Sequence, residues 1–161
     1  DIAYTLIGII YVPLFIMFLE LIRCLEHGKV LIGYVFVVSW ATDIFAYIIG
    51  KNFGKHKFSK VSPKKSIEGC VAGLIGSVIV SLLYTWIAIS FWNIEVSYLY
   101  IAIISFILSA ISQVGDFVAS CIKRTVDVKD YSNLLPGHGG LLDRVDSLIF
   151  IAPFVYMLFV L

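Results

Sequence analysis

Charge is scarce in this chain. Only 14% of its 161 residues are charged and 60% are hydrophobic, whereas a soluble domain of this size is nearer a quarter charged. Mean hydropathy is strongly positive, which excludes intrinsic disorder and argues against a soluble globular domain. The net charge of +1 gives no electrostatic basis for a nucleic-acid partner. Cysteine is sparse too: Cys24, Cys70 and Cys121 are odd in number, far apart and in no metal-binding spacing, so they read as small apolar residues. Internal repeats, low-complexity stretches and an evident signal peptide are missing. The first residue is Asp1 rather than Met, and a hydrophobic span begins almost at once, so the chain is expected to be the C-terminal portion of a longer protein.

What is present is long apolar segments. Five of them approach the roughly 20 residues needed to cross a bilayer: about 3–22, 30–50, 70–92, 98–122 and 145–161. In hydrocarbon the backbone must satisfy its own hydrogen bonds, so these are helices, and the alternation expected of barrel strands is not seen. The expected fold is all-α, a polytopic membrane helix bundle forming a single transmembrane domain. Gly73 and Gly76 predict close helix packing. Ten of the twelve Lys and Arg residues fall in two connections, about 51–69 and 123–144. Two crossings separate these connections, so they share one side, which the positive-inside rule makes the cytoplasm.

Two acids interrupt the apolar segments. Asp43 lies eight residues before Lys51 and Asp116 seven before Lys123, which places both roughly 10–12 Å below the cytoplasmic face. A carboxylate there is costly and faces a cavity or a partner. One reading is a polar brace between helices. The other is a water-filled pocket in which two like charges share a hard cation such as Mg²⁺. Asp43, Tyr47 and Gly50 form one helical stripe; Ser112, Asp116, Ser120 and Lys123 or Arg124 form another. Both stripes are too polar for lipid and should face inward.

The second loop carries the strongest signal: Lys123-Arg124, Lys129-Asp130, Pro136-Gly137-His138-Gly139-Gly140, then Asp143-Arg144-Val145-Asp146. Glycines let backbone approach a ligand closely. Helix capping would explain one Asp but not the His, the Arg and a second Asp beside it. The first loop holds Gly54-Lys55-His56, Ser62-Pro63-Lys64-Lys65-Ser66 and Glu68-Gly69. It reads either as a basic membrane-surface loop or as a shaped anion site; the order of a Walker loop is absent. Carboxylates, a Lys/Arg cluster and a glycine-rich turn at a membrane surface suit phosphoryl or nucleotidyl transfer.

These residues resemble the signature of the phosphatidate cytidylyltransferase (CDP-diacylglycerol synthase) family. The matching stretch runs 27 residues, from Ser120-Cys121-Ile122-Lys123-Arg124 through Lys129-Asp130-Tyr131-Ser132 to Leu135-Pro136-Gly137-His138-Gly139-Gly140-Leu141-Leu142-Asp143-Arg144-Val145-Asp146. Upstream, Asp43, Ala46-Tyr47, Gly50, Phe53-Gly54-Lys55, Ser62-Pro63-Lys64-Lys65-Ser66 and Glu68-Gly69 resemble a second block, and Gly115-Asp116 a third. Ser66 stands where Thr is usual, and family members carry further N-terminal helices.

The resemblance implies a Mg²⁺-dependent transfer of CMP from CTP to phosphatidic acid, with a second cation as an option. It makes Asp116, Asp143 and Asp146 the metal ligands. With them, Lys123, Arg124, His138 and Arg144 become catalytic candidates. Substrate-binding candidates are Asp43, Tyr47, Lys55, Ser62, Lys64, Lys65, Ser66, Glu68, Ser120, Lys129, Asp130, Gly139 and Gly140. The expected partners are CTP, phosphatidic acid, the bilayer and, as an option, a second copy of the chain. The expected location is a bacterial plasma membrane or a eukaryotic internal membrane, with the site on the cytoplasmic side. Two alternatives stand beside this reading: a CTP-dependent polyprenol or phytol kinase, and an ion channel or transporter with Asp43 and Asp116 on its path. A CDP-alcohol phosphotransferase is disfavoured because its Asp-Gly-x2-Ala-Arg motif is missing.

Overall fold

The computed structural model describes residues 2–57, 65–92, 94–125, 128, 131, 140 and 142–160, with side chains from residue 12 onward and without that of Arg144. The chain folds as the five expected helices: α1 (Ile2–Arg23), α2 (Gly28–Phe53), α3 (Ile67–Trp92), α4 (Tyr98–Thr125) and α5 (Asp146–Val160), with a 3₁₀ turn at Leu142–Arg144 before α5. Among the described residues, α2, α3 and α4 are each long and apolar enough to cross a membrane. Each outruns its expected span by a few residues. With 26, 26 and 28 residues they rise about 39–42 Å, against a hydrocarbon core of about 30 Å. Their polar ends therefore stay helical outside the hydrocarbon, and Lys51, Lys123 and Arg124 sit in last turns, where the helix dipole favours cations.

The C-termini of α2 and α4 and the N-termini of α3 and α5 meet at one end of the bundle, here the loop end. The helix pairs in contact are led by α2 with α3, followed by α3 with α4, α4 with α5 and α1 with α5. The apolar core gathers Ile22, Tyr34, Val35, Val38, Ile101, Leu108, Leu148, Ile151 and Val155. Small hydroxyl side chains stitch the interfaces, as expected where lipid is as apolar as leucine and only packing and hydrogen bonds can hold helices together. Tyr34 and Ser105 share a 2.8 Å hydrogen bond between α2 and α4. Thr42 and Ser109 share one of 2.7 Å, and Ser109 also donates to the Gly73 carbonyl of α3 at 3.4 Å.

The α2–α3 contact depends on glycine, as the sequence leads one to expect. A Cβ at Gly69 would lie 2.6 Å from the Ala46 carbonyl oxygen and 3.0 Å from the Gly50 Cα, and one at Gly73 would lie 2.9 Å from the Thr42 carbonyl oxygen. Backbone cannot step aside as a side chain can. Gly69→Ala should therefore force the helices apart and destabilise the bundle by about 1–3 kcal/mol. Thermal unfolding in detergent measures this, and an unchanged midpoint would show the contact to be less tight than drawn.

Candidate active site

The loop end holds a cavity of about 270 Å³ between α2, α3 and α4. Asp43, Ala46 and Tyr47 line it from α2, Gly69 and Cys70 from α3, and Gln113, Asp116 and Ser120 from α4, with Lys65 and Ser66 closing it from the loop. Asp43, Tyr47, Asp116 and Ser120 of the two polar stripes foreseen in the sequence thus face one space, but the other members do not: Ser112 is buried, Gly50 packs beside Ser66 and Gly69, Lys123 turns to Asp143 and Asp146, and Arg124 is exposed.

The anion-attracting wall is local in origin. Ser66 precedes α3 and its Oγ accepts the Gly69 N–H at 3.1 Å, an N-terminal cap. The Lys57–Ser66 bridge and the hydrogen bond from the Ile67 N–H to the His56 carbonyl tie the two ends of the loop together. Glu68 accepts from His56 Nδ1 at 2.7 Å and also from the His56 N–H, so it braces the loop and is not among the residues lining the cavity. This frame delivers Lys65 to the mouth, where its ammonium pairs with Asp116 at 2.5 Å.

The acidic wall is assembled across the bundle. Asp43 lies within electrostatic reach of Asp116, Lys65 and Asp146. Ser147 of α5 donates to the Asp43 carboxylate at 3.2 Å, and Ser39 lies 3.0 Å from the same Ser147 hydroxyl. Because the Ser147 proton is directed at Asp43, Ser39 is the donor in the second bond, and the short chain runs one way. Ser147 also gives its N–H to Asp146 at 2.8 Å. One oxygen of Asp43 thus joins α2 to α5, as the brace reading expects, while the side chain lines the cavity.

Asp143 organises the turn before α5. Its Oδ1 accepts from Lys123 at 2.9 Å, and its Oδ2 accepts from the N–H groups of Tyr131 and Gly140 at 2.9 and 3.0 Å. Lys123 also lies 3.7 Å from Asp146 and 5.0 Å above the Tyr131 ring. Burial disfavours the Asp143 carboxylate, but the hydrogen bonds from Lys123, Gly140 and Tyr131 outweigh it and hold the group below the usual carboxylate range. Burial, the larger influence, raises the Tyr131 phenol above its ordinary value despite the nearby Lys123 charge.

Lys55 and Arg124 are exposed at the loop end and are not among the residues lining the cavity. Ser62, Lys64, Lys129, Asp130, His138 and Gly139 lie outside the described residues, as does the Arg144 side chain. Sequence reasoning missed Ser39, Ser147 and Gln113. Gln113 was within reach, since it sits three residues before Asp116 on the same stripe; its amide donates to the Cys70 carbonyl at 3.0 Å.

Comparison with known proteins gives this geometry a family. The model of the cytidylyltransferase family matches residues 1–161, the whole chain. The chain belongs to the cytidylyltransferase family. Among its relatives, the phosphatidate cytidylyltransferase of Bacillus subtilis strain 168 is 37% identical over 163 residues, covering 100% of this chain and 59% of that protein. The proteins of the same name from Staphylococcus saprophyticus and Staphylococcus haemolyticus are 42% and 39% identical, each covering 99% of this chain and 60% of the relative. This cytidylyltransferase-family chain thus spans about three fifths of the length of these curated relatives.

Proposed function

We propose that the chain forms the catalytic part of a phosphatidate cytidylyltransferase, which joins CTP to phosphatidic acid and releases pyrophosphate. The observation that carries the reading is the cavity at the loop end, where a lysine-bearing helix N-terminus faces carboxylates from separate helices. An oxygen of the lipid phosphate attacks the α-phosphorus of CTP. The new P–O bond forms as the bond from that phosphorus to the bridging oxygen breaks, and pyrophosphate leaves with the electron pair. The attacking phosphate is already ionised at neutral pH, so no general base is needed, and catalysis reduces to alignment and charge neutralisation. Lys65 and the N-terminus of α3 suit a phosphate group. Ten of the twelve Lys and Arg residues lie at this end, so we place the site on the cytoplasmic side, where CTP and a lipid headgroup both reach it.

The family resemblance implies a magnesium ion, and the donor chemistry is compatible with one. Four carboxylates, Asp43, Asp116, Asp143 and Asp146, gather with two ammonium groups, Lys65 and Lys123. The described residues contain no preformed group of three metal-binding side chains; Lys65 pairs with Asp116, and Lys123 with Asp143 and Asp146. A carboxylate offers about four acceptor positions, and Asp143 already uses three, so one remains free and a second opens where Lys123 yields. Asp116, Asp143 and Asp146 would hold the ion, with Asp43 beside them. When bound, it would offset charge on the triphosphate and the leaving pyrophosphate.

Membranes carrying the protein, given labelled CTP and phosphatidate, should form CDP-diacylglycerol and pyrophosphate in equal amounts. Formation of a phosphorylated lipid with CDP would instead identify a lipid kinase and overturn the proposal.

A further inference from the structure

A second cavity, of about 280 Å³, opens beside the first on the α3–α4 face. Leu74, Ala110, Val114 and Phe117 line its apolar part. Ala110 and Val114 are exposed on the outside of the five helices, Val114 at 54%, so the groove opens on the outer face of the α3–α4 pair. Lys65, Cys70 and Gln113 line both cavities. The polar site and the groove are therefore adjoining spaces that meet at one lysine. Positions 110, 113, 114 and 117 follow the spacing of a single helical stripe, and positions 70 and 74 do the same on α3. The seven steps from Ala110 to Phe117 rise about 10 Å along the helix axis, so the groove runs along the helix from the level of Lys65.

We infer that this α3–α4 groove seats the proximal acyl chain of the phospholipid substrate while its phosphate lies in the polar cavity by Lys65. The inference rests on the lipid-substrate reading above and adds where the tail goes. Charge complementarity fixes the head: an anionic phosphate suits the ammonium at the junction, and Lys65 would exchange the Asp116 carboxylate for it in whole or part. The tail gains little by leaving lipid for protein, because bilayer hydrocarbon is as apolar as the groove. The groove therefore acts by alignment, holding the lipid so that its phosphate oxygen points at the nucleotide, and a displacement of about 1 Å there can lower the rate about a hundredfold.

Two arms test this. In the kinetic arm, Ala110→Trp and Val114→Trp fill the groove, and Ile79→Trp serves as control, Ile79 being 52% exposed on α3 and lining neither cavity. The groove variants should lower kcat with dioleoyl phosphatidate about tenfold, with KM for CTP and turnover of dioctanoyl phosphatidate little changed and the control like the parent. Equal kcat values across the set would overturn the groove. In the binding arm, a phosphatidate with a photoreactive group in the upper acyl chain should label peptides containing Leu74 or residues 110–117, with labelling competed by plain phosphatidate. Equal labelling by a phosphatidylcholine with the same tail would mark the face as ordinary lipid contact, and capture of a second copy of the chain there would mark it as a protein interface; either result overturns the inference. Should the parent protein form no CDP-lipid at all, the proposed function fails, and the labelling arm still decides the groove.

Discussion

Asp143→Asn is expected to lower CDP-diacylglycerol formation about a thousandfold and to destabilise the bundle by about 3 kcal/mol. Both effects come from one carboxylate. Lys123 and Asp143 side chains are only 12% and 8% exposed, and removing one charge leaves the Lys123 ammonium largely buried with Asp146, at 3.7 Å, as its remaining close carboxylate. An amide also serves two backbone donors and an ammonium less well than a carboxylate does. Turnover in membranes and thermal unfolding in detergent measure the two losses separately. Adding Lys123→Met to Asp143→Asn removes the stranded ammonium while the amide oxygen still accepts a backbone N–H, and should recover part of the lost stability without any turnover. Full activity in Asp143→Asn would remove this residue from the chemistry. The pH dependence has a definite sign. Because the folded protein holds the Asp143 carboxyl below its ordinary value, the clasp contributes fully at neutral pH and weakens only as pH falls through that depressed value. Mild acidification should leave the turn intact.

The legible part of this molecule is the part set by the solvent. Hydrocarbon demands long apolar helices, so five segments were readable from hydropathy. Asp43 and Asp116 stood out because a carboxylate at that depth needs a reason. Helix ends were less readable, since α2, α3 and α4 continue past the hydrocarbon, where polar residues no longer mark a boundary. The tertiary partners left the weakest trace. Ser147 reaches Asp43 across 104 positions and Ser39 across 108, and a serine in an apolar helix gives no sign of which distant residue it will meet. Asp143 was legible as functional, but its backbone partners Tyr131 and Gly140 follow from the turn's conformation, which residue types alone do not fix. Ser66 and Glu68 read as anion-site residues in the sequence; in the fold Ser66 caps α3 and also lines the cavity, while Glu68 braces His56. Glu68 shapes the site only through the loop that carries Lys65.

Asp116→Asn should separate chemistry from stability where Asp143→Asn combines them. Asp116 pairs with Lys65, and the two side chains are 29% and 25% exposed in a cavity open at the loop end. Water can solvate whichever partner remains, so the stability change should stay within about 1 kcal/mol. The activity change should be far larger, about a thousandfold, because the variant keeps the shape of the cavity and removes a charge from its acidic wall. Binding of Mn²⁺ in the presence of CTP, followed by electron paramagnetic resonance, gives a readout besides turnover and should weaken in parallel. Lys65→Met should do the reverse: cation binding persists or strengthens as Asp116 is released from its ion pair, while KM for the anionic substrates rises. If Asp116→Asn turned over within tenfold of the parent and bound Mn²⁺ equally well, Asp116 would be only a salt-bridge partner for the loop. The acidic wall would then reduce to the carboxylates nearer α5.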